Sequence, residues 1–404
     1  MGTLLASCAG LQVSPEVDQR TIQAQAEWEA RTLEQLQRGY DDPLLDEYLA
    51  ALVDRLIPPE DRAAGSPRFR FFIVRDPSPN AFALPNGQVY LHTGLLARLD
   101  NEAQLATILA HELTHVTHLH MLKALRDARN ARTVFGAGMV PAPPVTVIGG
   151  AEARRRALAG AGPLSQTEKV LLGLGLTLAY TASVTGYSSD LEREADEESM
   201  KRLVKAGYDP KEAPKVFELL GEVRGDGRPI EVFFFGSRPR LTERVETTAR
   251  LLRTRYISEA ADPHRTVNTP DFSHRLRAVV RDNALLELRA ARFSTAKAQL
   301  DRVLGETPED PVAHLYYGDL YRLQAQRAGS REDRERLGEL ARERYEQAAE
   351  LDPTFADPFR QLGLLFYQLE DLDRAREAFR RYLALNPEAP DARRIEEYLA
   401  ALER

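Results

Sequence analysis

A single cysteine, Cys8, stands in 404 residues, so the chain can hold neither a disulfide framework nor a zinc site that needs two thiolates. Any metal it binds must be held by imidazole and carboxylate. An excess of basic charge is also missing. The 54 Lys and Arg against 61 Asp and Glu leave a net charge of -7 and a pI near 5.8, which gives no overall electrostatic reason to bind nucleic acid. The composition of a disordered polymer is absent too, since 43% of the residues are hydrophobic and 28% charged. At about 150 residues per domain the length suggests two or three domains, enough to bury a large core. Long apolar runs are scarce. The two uncharged stretches, Thr133 to Ala151 and Val170 to Ser189, are 19 and 20 residues long, but Pro141, Pro143 and Pro144 break the first and Gly173, Gly175 and Gly186 the second. They read as a buried helix and a mobile apolar loop over a cleft, with a membrane hairpin as the alternative their length allows.

What is present begins with the string Leu5-Ala6-Ser7-Cys8, similar to the lipobox at which bacterial lipoproteins are cleaved and lipidated. The segment ahead of Cys8 has no basic residue and is shorter than a secretory signal of about 15 to 30 residues. We read export with a lipid anchor at Cys8 and a truncated or misplaced start, against an incidental buried cysteine. Charged residues with spaced apolar ones from Ser14 to about Tyr48, and again from Asp46 to Ile57, read as amphipathic helices. Phe69 to Val74 and Gln88 to Thr93 have strand composition and are separated by Pro77, Pro79, Pro85 and Gly87, which predicts a small antiparallel sheet. After Asp100, a candidate N-cap, Leu105, Ile108, Leu109, Leu113, Val116 and Leu119 recur at helical spacing.

From about residue 270 the chain turns helical and repetitive. Phe359, Leu362, Gly363, Phe366, Ala375, Phe379, Tyr382 and Pro387 fall where a tetratricopeptide unit of about 34 residues sets its large, small and closing residues. Gly318, Tyr321, Tyr345, Ala348 and Pro353 fit the same template, and Ala296, Leu300, Val303 and Pro308 fit its second half. Those closing prolines lie 45 and 34 residues apart, and the surplus of 11 is expected in a charged loop near Arg327 to Arg336. A last helix, Asp391 to Leu402, would cap the array. The predicted architecture is mainly α with a small antiparallel β-sheet, followed by an α-solenoid of tetratricopeptide repeats. Its expected divisions are an N-terminal export segment (1–25), a metal-binding domain (26–258), a linker (259–272) and the repeats (273–404).

The chemistry concentrates in His111-Glu112-Leu113-Thr114-His115, an HExxH string on the predicted helix. On a helix the two histidines lie about 40° apart and about 6 Å along the axis, so both imidazoles can grip one tetrahedral zinc. Glu112 projects beside them, where its carboxylate can take a proton from water that the metal has activated. Two histidine ligands call for a third protein ligand. Glu192, near the start of a second predicted helix, is the candidate, and Asp196 falls on the same face one turn later, placed to fix a ligand imidazole by hydrogen bonding. His118 and His120 read as surface or supporting residues rather than ligands.

HExxH followed about 75 residues later by Tyr187-Ser188-Ser189-Asp190-Leu191-Glu192-Arg193-Glu194-Ala195-Asp196 resembles the HExxH and ExxxD signature of the CAAX prenyl endopeptidase (Ste-type) family of zinc metallopeptidases. Its bacterial periplasmic members with C-terminal tetratricopeptide repeats are the nearest in pattern. Asn80-Ala81-Phe82-Ala83-Leu84-Pro85-Asn86-Gly87 resembles the family segment beside the edge strand at the active site. The resemblance implies a zincin-like gluzincin domain and one Zn2+ held by His111, His115 and Glu192, with Glu112 as general base. It also implies substrate adding as a strand near Asn80, Ala81, Phe82 and Ala83, or near Gln88 to Thr93. Two departures stand out. Ser188-Ser189 replaces a common Ser-Arg, and Ser237-Arg238-Pro239 carries Arg238 where a His-Pro-x4-Arg segment would place a histidine able to reach the zinc. A guanidinium cannot ligate a metal, so Arg238 or Arg244 is expected to stabilise the oxyanion instead.

The expected activity is hydrolysis of peptide bonds in unfolded or misassembled proteins. The expected place is the bacterial periplasm or outer membrane, with the repeats engaging a protein partner. A chaperone or adaptor with a latent metal site, and a membrane-inserted stress protease, are the alternatives.

Overall fold

A helix that is apolar on every side must be surrounded by protein, and Glu102–Thr117 is such a helix. In the computed structural model, which describes residues 15–36, 39–58, 62, 67–135, 176–182, 186–221, 224–225, 228–229 and 238–402, every residue from Glu102 to Val116 is buried. It is the fourth of the helices α1 (Pro15–Leu36), α2 (Pro43–Leu56), α3 (Thr93–Leu96), α4 (Glu102–Thr117), α5 (His120–Phe135), α6 (Thr177–Tyr180), α7 (Ser189–Lys205), α8 (Glu212–Gly221), α9 (Arg238–Thr254) and α10 (Ile257–Ala261). With three strands between α2 and α3 they form a first compact unit that runs to Phe272.

The start of α4 is fixed from several directions. Asn101, one residue after the expected cap, accepts a hydrogen bond from the Gln104 amide at 3.0 Å. The Glu102 carboxylate, favoured at a helix start by the macrodipole, accepts from the Tyr48 hydroxyl at 2.8 Å, the Tyr208 hydroxyl at 2.7 Å and the Thr269 hydroxyl. Residues 259–272, read from the sequence as a linker, carry the end of α10 and then attach to this helix end, where Val267 O accepts from the Ala103 amide at 2.9 Å.

The sheet is mixed, which corrects the antiparallel expectation. Strands β1 (Arg70–Val74), β2 (Ala81–Ala83) and β3 (Gln88–His92) lie in the order β1-β3-β2. β3 pairs antiparallel with β2 (Phe82 opposite Tyr90) and parallel with β1 (Phe72 opposite Tyr90). The reason is the short strand β2 between the two that the sequence announced. The chain reverses before β2 and again after it, so β3 returns in the direction of β1. The second reversal is Leu84-Pro85-Asn86-Gly87, closed by Gly87 N to Leu84 O at 3.0 Å, with Gly87 at φ 87°. A Cβ there would stand 2.6 Å from Arg68 O, so glycine is required twice over. On the far side of β1, Gly39 bridges Val74 and Tyr40 N donates to Ile73 O at 2.8 Å, leaving β2 as the edge beside α4.

Of the two uncharged stretches, residues 136–151, 170–175 and 183–185 lie outside the described residues, as does Cys8. The Leu178 and Ala179 amides of α6 donate to the buried Glu29 carboxylate of α1 at 3.0 and 2.7 Å. Among the described residues no helix is long and apolar enough to cross a membrane.

The second unit starts at Ser273 and also takes in the two-residue strands β4 (Arg224–Gly225) and β5 (Arg228–Pro229). Its helices are α11 (Pro270–Arg289), α12 (Phe293–Glu306), α13 (Pro311–Ala325), α14 (Arg331–Leu351), α15 (Ala356–Gln368), α16 (Leu372–Leu385) and α17 (Ala392–Leu402). Tetratricopeptide logic is visible in its core. Tyr345 of α14 packs over Gly318 of α13, and Phe379 of α16 over Gly363 of α15. The 11 surplus residues do not make a long loop. Ser330 caps α14 by accepting from the Asp333 amide at 3.0 Å, and the helix runs for 21 residues against 14 in α12 and α16. A cap followed by Arg, Glu, Leu and Ala favours helix over loop.

Candidate metal centre

The HExxH spacing acts as helical geometry requires. His111 and His115, four residues apart on α4, turn their Nε2 atoms toward one point, 2.9 Å from each other. Helix α7 crosses α4 and brings Glu192 there, with Oε2 3.3 Å from His111 Nε2 and Oε1 4.0 Å from His115 Nε2. Four atoms bound at about 2.0–2.2 Å to a tetrahedral zinc would stand about 3.3–3.6 Å apart, and the three separations bracket that range. Glu192 Oε1 accepts from the Tyr187 amide at 3.2 Å, whereas Oε2 is buried without a hydrogen-bond partner. Two nitrogens and one carboxylate oxygen are a zinc donor set, so the residues fit the metal.

The charges fit as well. Burial and the nearby Arg244 disfavour a proton on His111, yet the Asp196 and Glu192 carboxylates outweigh them and hold its pKa up to about 9. Despite its burial, Glu192 is held down to about 2 by His111 and His115. The pocket thus places a positive charge where a cation would sit. Burial drives His115 well below its usual value, with protonated His111 adding to the effect, so this ring stays neutral and open to a metal.

Glu112, on the same turn, is 1% exposed, and neither carboxylate oxygen has a hydrogen-bond partner. Burial pushes its pKa up to about 8, against the pull of His111 and in concert with Glu192. The backbone of Ala83 in β2 faces it and pulls the pKa the other way. On this edge, Asn80 O accepts from His92 N and Leu84 N donates to Gln88 O, both at 2.9 Å. Strand alternation then turns the backbone groups of Ala81 and Ala83 away from β3, while Phe82 stacks on Tyr90 with centroids 4.6 Å apart. A narrow apolar cleft lies alongside, lined by Ile22, Gln23, Ala83, His115, Leu122 and Tyr187, with about 20 Å³ of space, room for about one water.

Both candidate ligand histidines are supported from behind. Asp196 Oδ1 stands 3.0 Å from His111 Nδ1 and is gripped in turn by Arg244, with Nη2 to Oδ1 at 2.6 Å and Nε to Oδ2 at 2.9 Å. The Arg244 guanidinium lies over the Phe217 ring at 4.1 Å, and its Nη1 is 3.8 Å from Glu192 Oε2. His115 has a histidine behind it instead, with His120 Nδ1 2.9 Å from His115 Nδ1, and Tyr187 stacks on the His115 ring at 4.2 Å. Burial pushes His120 down to about 4. The structure therefore gathers His111, Glu112, His115, Glu192, Asp196, Arg244 and Ala83 into one place. Arg238 opens α9, and its side chain lies outside the described residues. Sequence reasoning gave no role to Tyr187, whose place inside the motif was its one signal, or to Phe217, which carried none.

Residues 43–251 match the model of peptidase family M48, and residues 327–400 match a tetratricopeptide repeat model. The beta-barrel assembly-enhancing protease of Escherichia coli O157:H7 is 33% identical over 195 residues, 48% of this chain and 36% of that protein. Its counterpart of the same name in Yersinia pestis is 29% identical over 233 residues, 57% of this chain and 42% of that one. The mitochondrial metalloendopeptidase OMA1 of Arabidopsis thaliana is 28% identical over 154 residues, 38% and 26% of the two chains. The matches thus span well under half the length of these relatives. Among solved structures, a human IFIT1 dimer with PPP-AAAA aligns over 76% of each chain at 17% identity, but its TM-score of 0.27 carries no argument.

Proposed function

The chain belongs to peptidase family M48, and from that premise we propose that it is a zinc-dependent endopeptidase. Its substrates would be unfolded or misassembled proteins of the bacterial cell envelope, in the periplasm or at the outer membrane, with the repeats recruiting them. The observation that carries this reading is the convergence of His111 Nε2, His115 Nε2 and Glu192 Oε2 beside the unpartnered carboxylate of Glu112.

When bound, the zinc supplies Lewis-acid polarisation of the scissile carbonyl and lowers the pKa of water. Glu112 takes the proton from the attacking water and returns it to the leaving amine. A carboxylate whose proton affinity burial has raised suits a group that must hold that proton between the two steps. Asp196 Oδ1, 3.0 Å from His111 Nδ1, would accept the proton there and favour the tautomer whose Nε2 lone pair faces the metal. The hydrogen bonds of Arg244 go to Asp196 and His111, with Glu192 3.8 Å away and Phe217 beneath the guanidinium, which supports a positioning role for it in place of the oxyanion contact expected from the sequence. Substrate would add as a strand to the outward backbone of Ala81 and Ala83, with the buried, unpartnered Asn80 Oδ1 as a further acceptor. The alternative register along Gln88 to Thr93 is set aside, because β3 is the central strand.

Ala81, Phe82 and Ala83 are at most 3% exposed. That burial favours a second reading, a chaperone or adaptor whose metal site is latent until the covering groups move. Cleavage of an unfolded protein by the zinc-loaded chain, compared with Glu112→Gln and with metal measured in both, separates them. The protease reading expects a loss of about 10²–10⁴ in rate with zinc retained; no cleavage by a wild type that holds zinc supports the latent one.

A further inference from the structure

Behind His115 lies a second group of metal-ligating side chains. His118 Nδ1 is 2.6 Å from Glu194 Oε1, His120 Nε2 is 3.5 Å from Glu194 Oε2, and one donor atom from each of the three residues lies within 4.8 Å of the others. Residues two apart on a helix do not face one another. Here they do because Leu119 between them adopts φ 55°, a left-handed conformation rare for leucine, while its side chain stays 38% exposed. Leu119 follows His118, the C-cap of α4, at the position where a left-handed residue commonly ends a helix. His120 is fully buried, and its Nε2 has no hydrogen-bond partner although it is aimed at this group. His118 and Glu194 are partly exposed, so solvent can complete a coordination shell.

We propose that His118, His120 and Glu194 form a second divalent-cation site, for zinc or a similar N/O-binding metal, whose occupation opposes metal binding by His115. The opposition follows from where two protons can sit. With a metal on Nε2, neutral His115 keeps its proton on Nδ1 and donates it to His120 Nδ1, so the proton of His120 is on Nε2. A cation on His120 Nε2 moves that proton to Nδ1, where it meets the His115 proton across 2.9 Å. Both sites fill together only if the contact breaks or a proton leaves. Each metal should therefore weaken the other about tenfold to a hundredfold, and by linkage the effect is mutual. Lys123 Nζ lies 3.2 and 3.1 Å from the two Glu194 oxygens and so competes with a cation for that carboxylate, and at 43% exposure its side chain can swing away.

The test is titration of the metal-stripped full chain with Co2+ and with Zn2+, read by d–d absorption and by competition with a chromophoric chelator. Wild type should take up two metal ions in separate events. His118→Ala and Glu194→Gln should each remove only the weaker event, and Lys123→Ala should tighten it about twofold to fivefold by freeing Glu194. A single event in wild type, or a second event unchanged in both His118→Ala and Glu194→Gln, overturns the proposal. The stoichiometry stands apart from any protease activity. Where cleavage is observed, excess Zn2+ should inhibit wild type and spare His118→Ala.

Discussion

At the scale of single residues, the site is a set of buried charges held by their neighbours. Asp196 joins His111 to Arg244. Asp196→Asn should keep the fold and lower zinc affinity about 10–100-fold, measured by chelator competition, because a group that orients a ligand tunes the metal. Affinity equal to wild type would remove Asp196 from that role. The metal-free protein should also respond to pH in a defined sense. His111 and Glu112 hold their protons more firmly in the folded chain, with pKa values of about 9 and about 8 against ordinary values of 6.5 and 4.5. Their stabilisation is complete below the ordinary values and is lost as pH rises through the folded ones. His115 and His120 shift the other way, but their titration ends near 6.5 and falls below this window. The melting temperature of metal-free protein should therefore fall from about pH 7 to about pH 9, and zinc, taking the place of the His111 proton, should flatten the fall. A rise over that interval would contradict the assignment.

At the scale of elements, helix spacing did most of the work that a sequence can reveal. HExxH on α4 fixes its own geometry, because four residues on a helix bring two side chains together whatever surrounds them. The repeat register was legible for the same reason, since Gly363 and Phe379 must meet across a helix pair. Gly363→Ala would place a Cβ 2.4 Å from the Phe379 ring and should cost about 1–3 kcal/mol by overpacking, readable as a lower denaturation midpoint. Two elements escaped. The three residues of β2 were too few to show a period of two, so the sheet looked antiparallel, and the surplus in the repeats lengthened α14 because Ser330 caps it.

At the scale of the molecule, the first unit and the second each have a core of their own. Calorimetry should resolve two transitions, and a chelator should lower only the one that contains the metal centre; a single transition that shifts as a whole would show the units to be coupled. The sequence by itself determined what is local. It set the helical pair of histidines with its glutamate, the acidic motif on a second helix, the turn at Gly87 and the small-to-large pairing of the repeats. These depend on residues a few positions apart, where backbone geometry dictates who meets whom. Only the tertiary structure decided that Glu192 faces His111, that Arg244 grips Asp196 over Phe217 and reaches His111, and that β3 is the central strand. Those partners are separated by up to 133 residues of chain, as Arg244 is from His111. Over such distances no periodicity survives, and which groups meet is settled by how the helices pack.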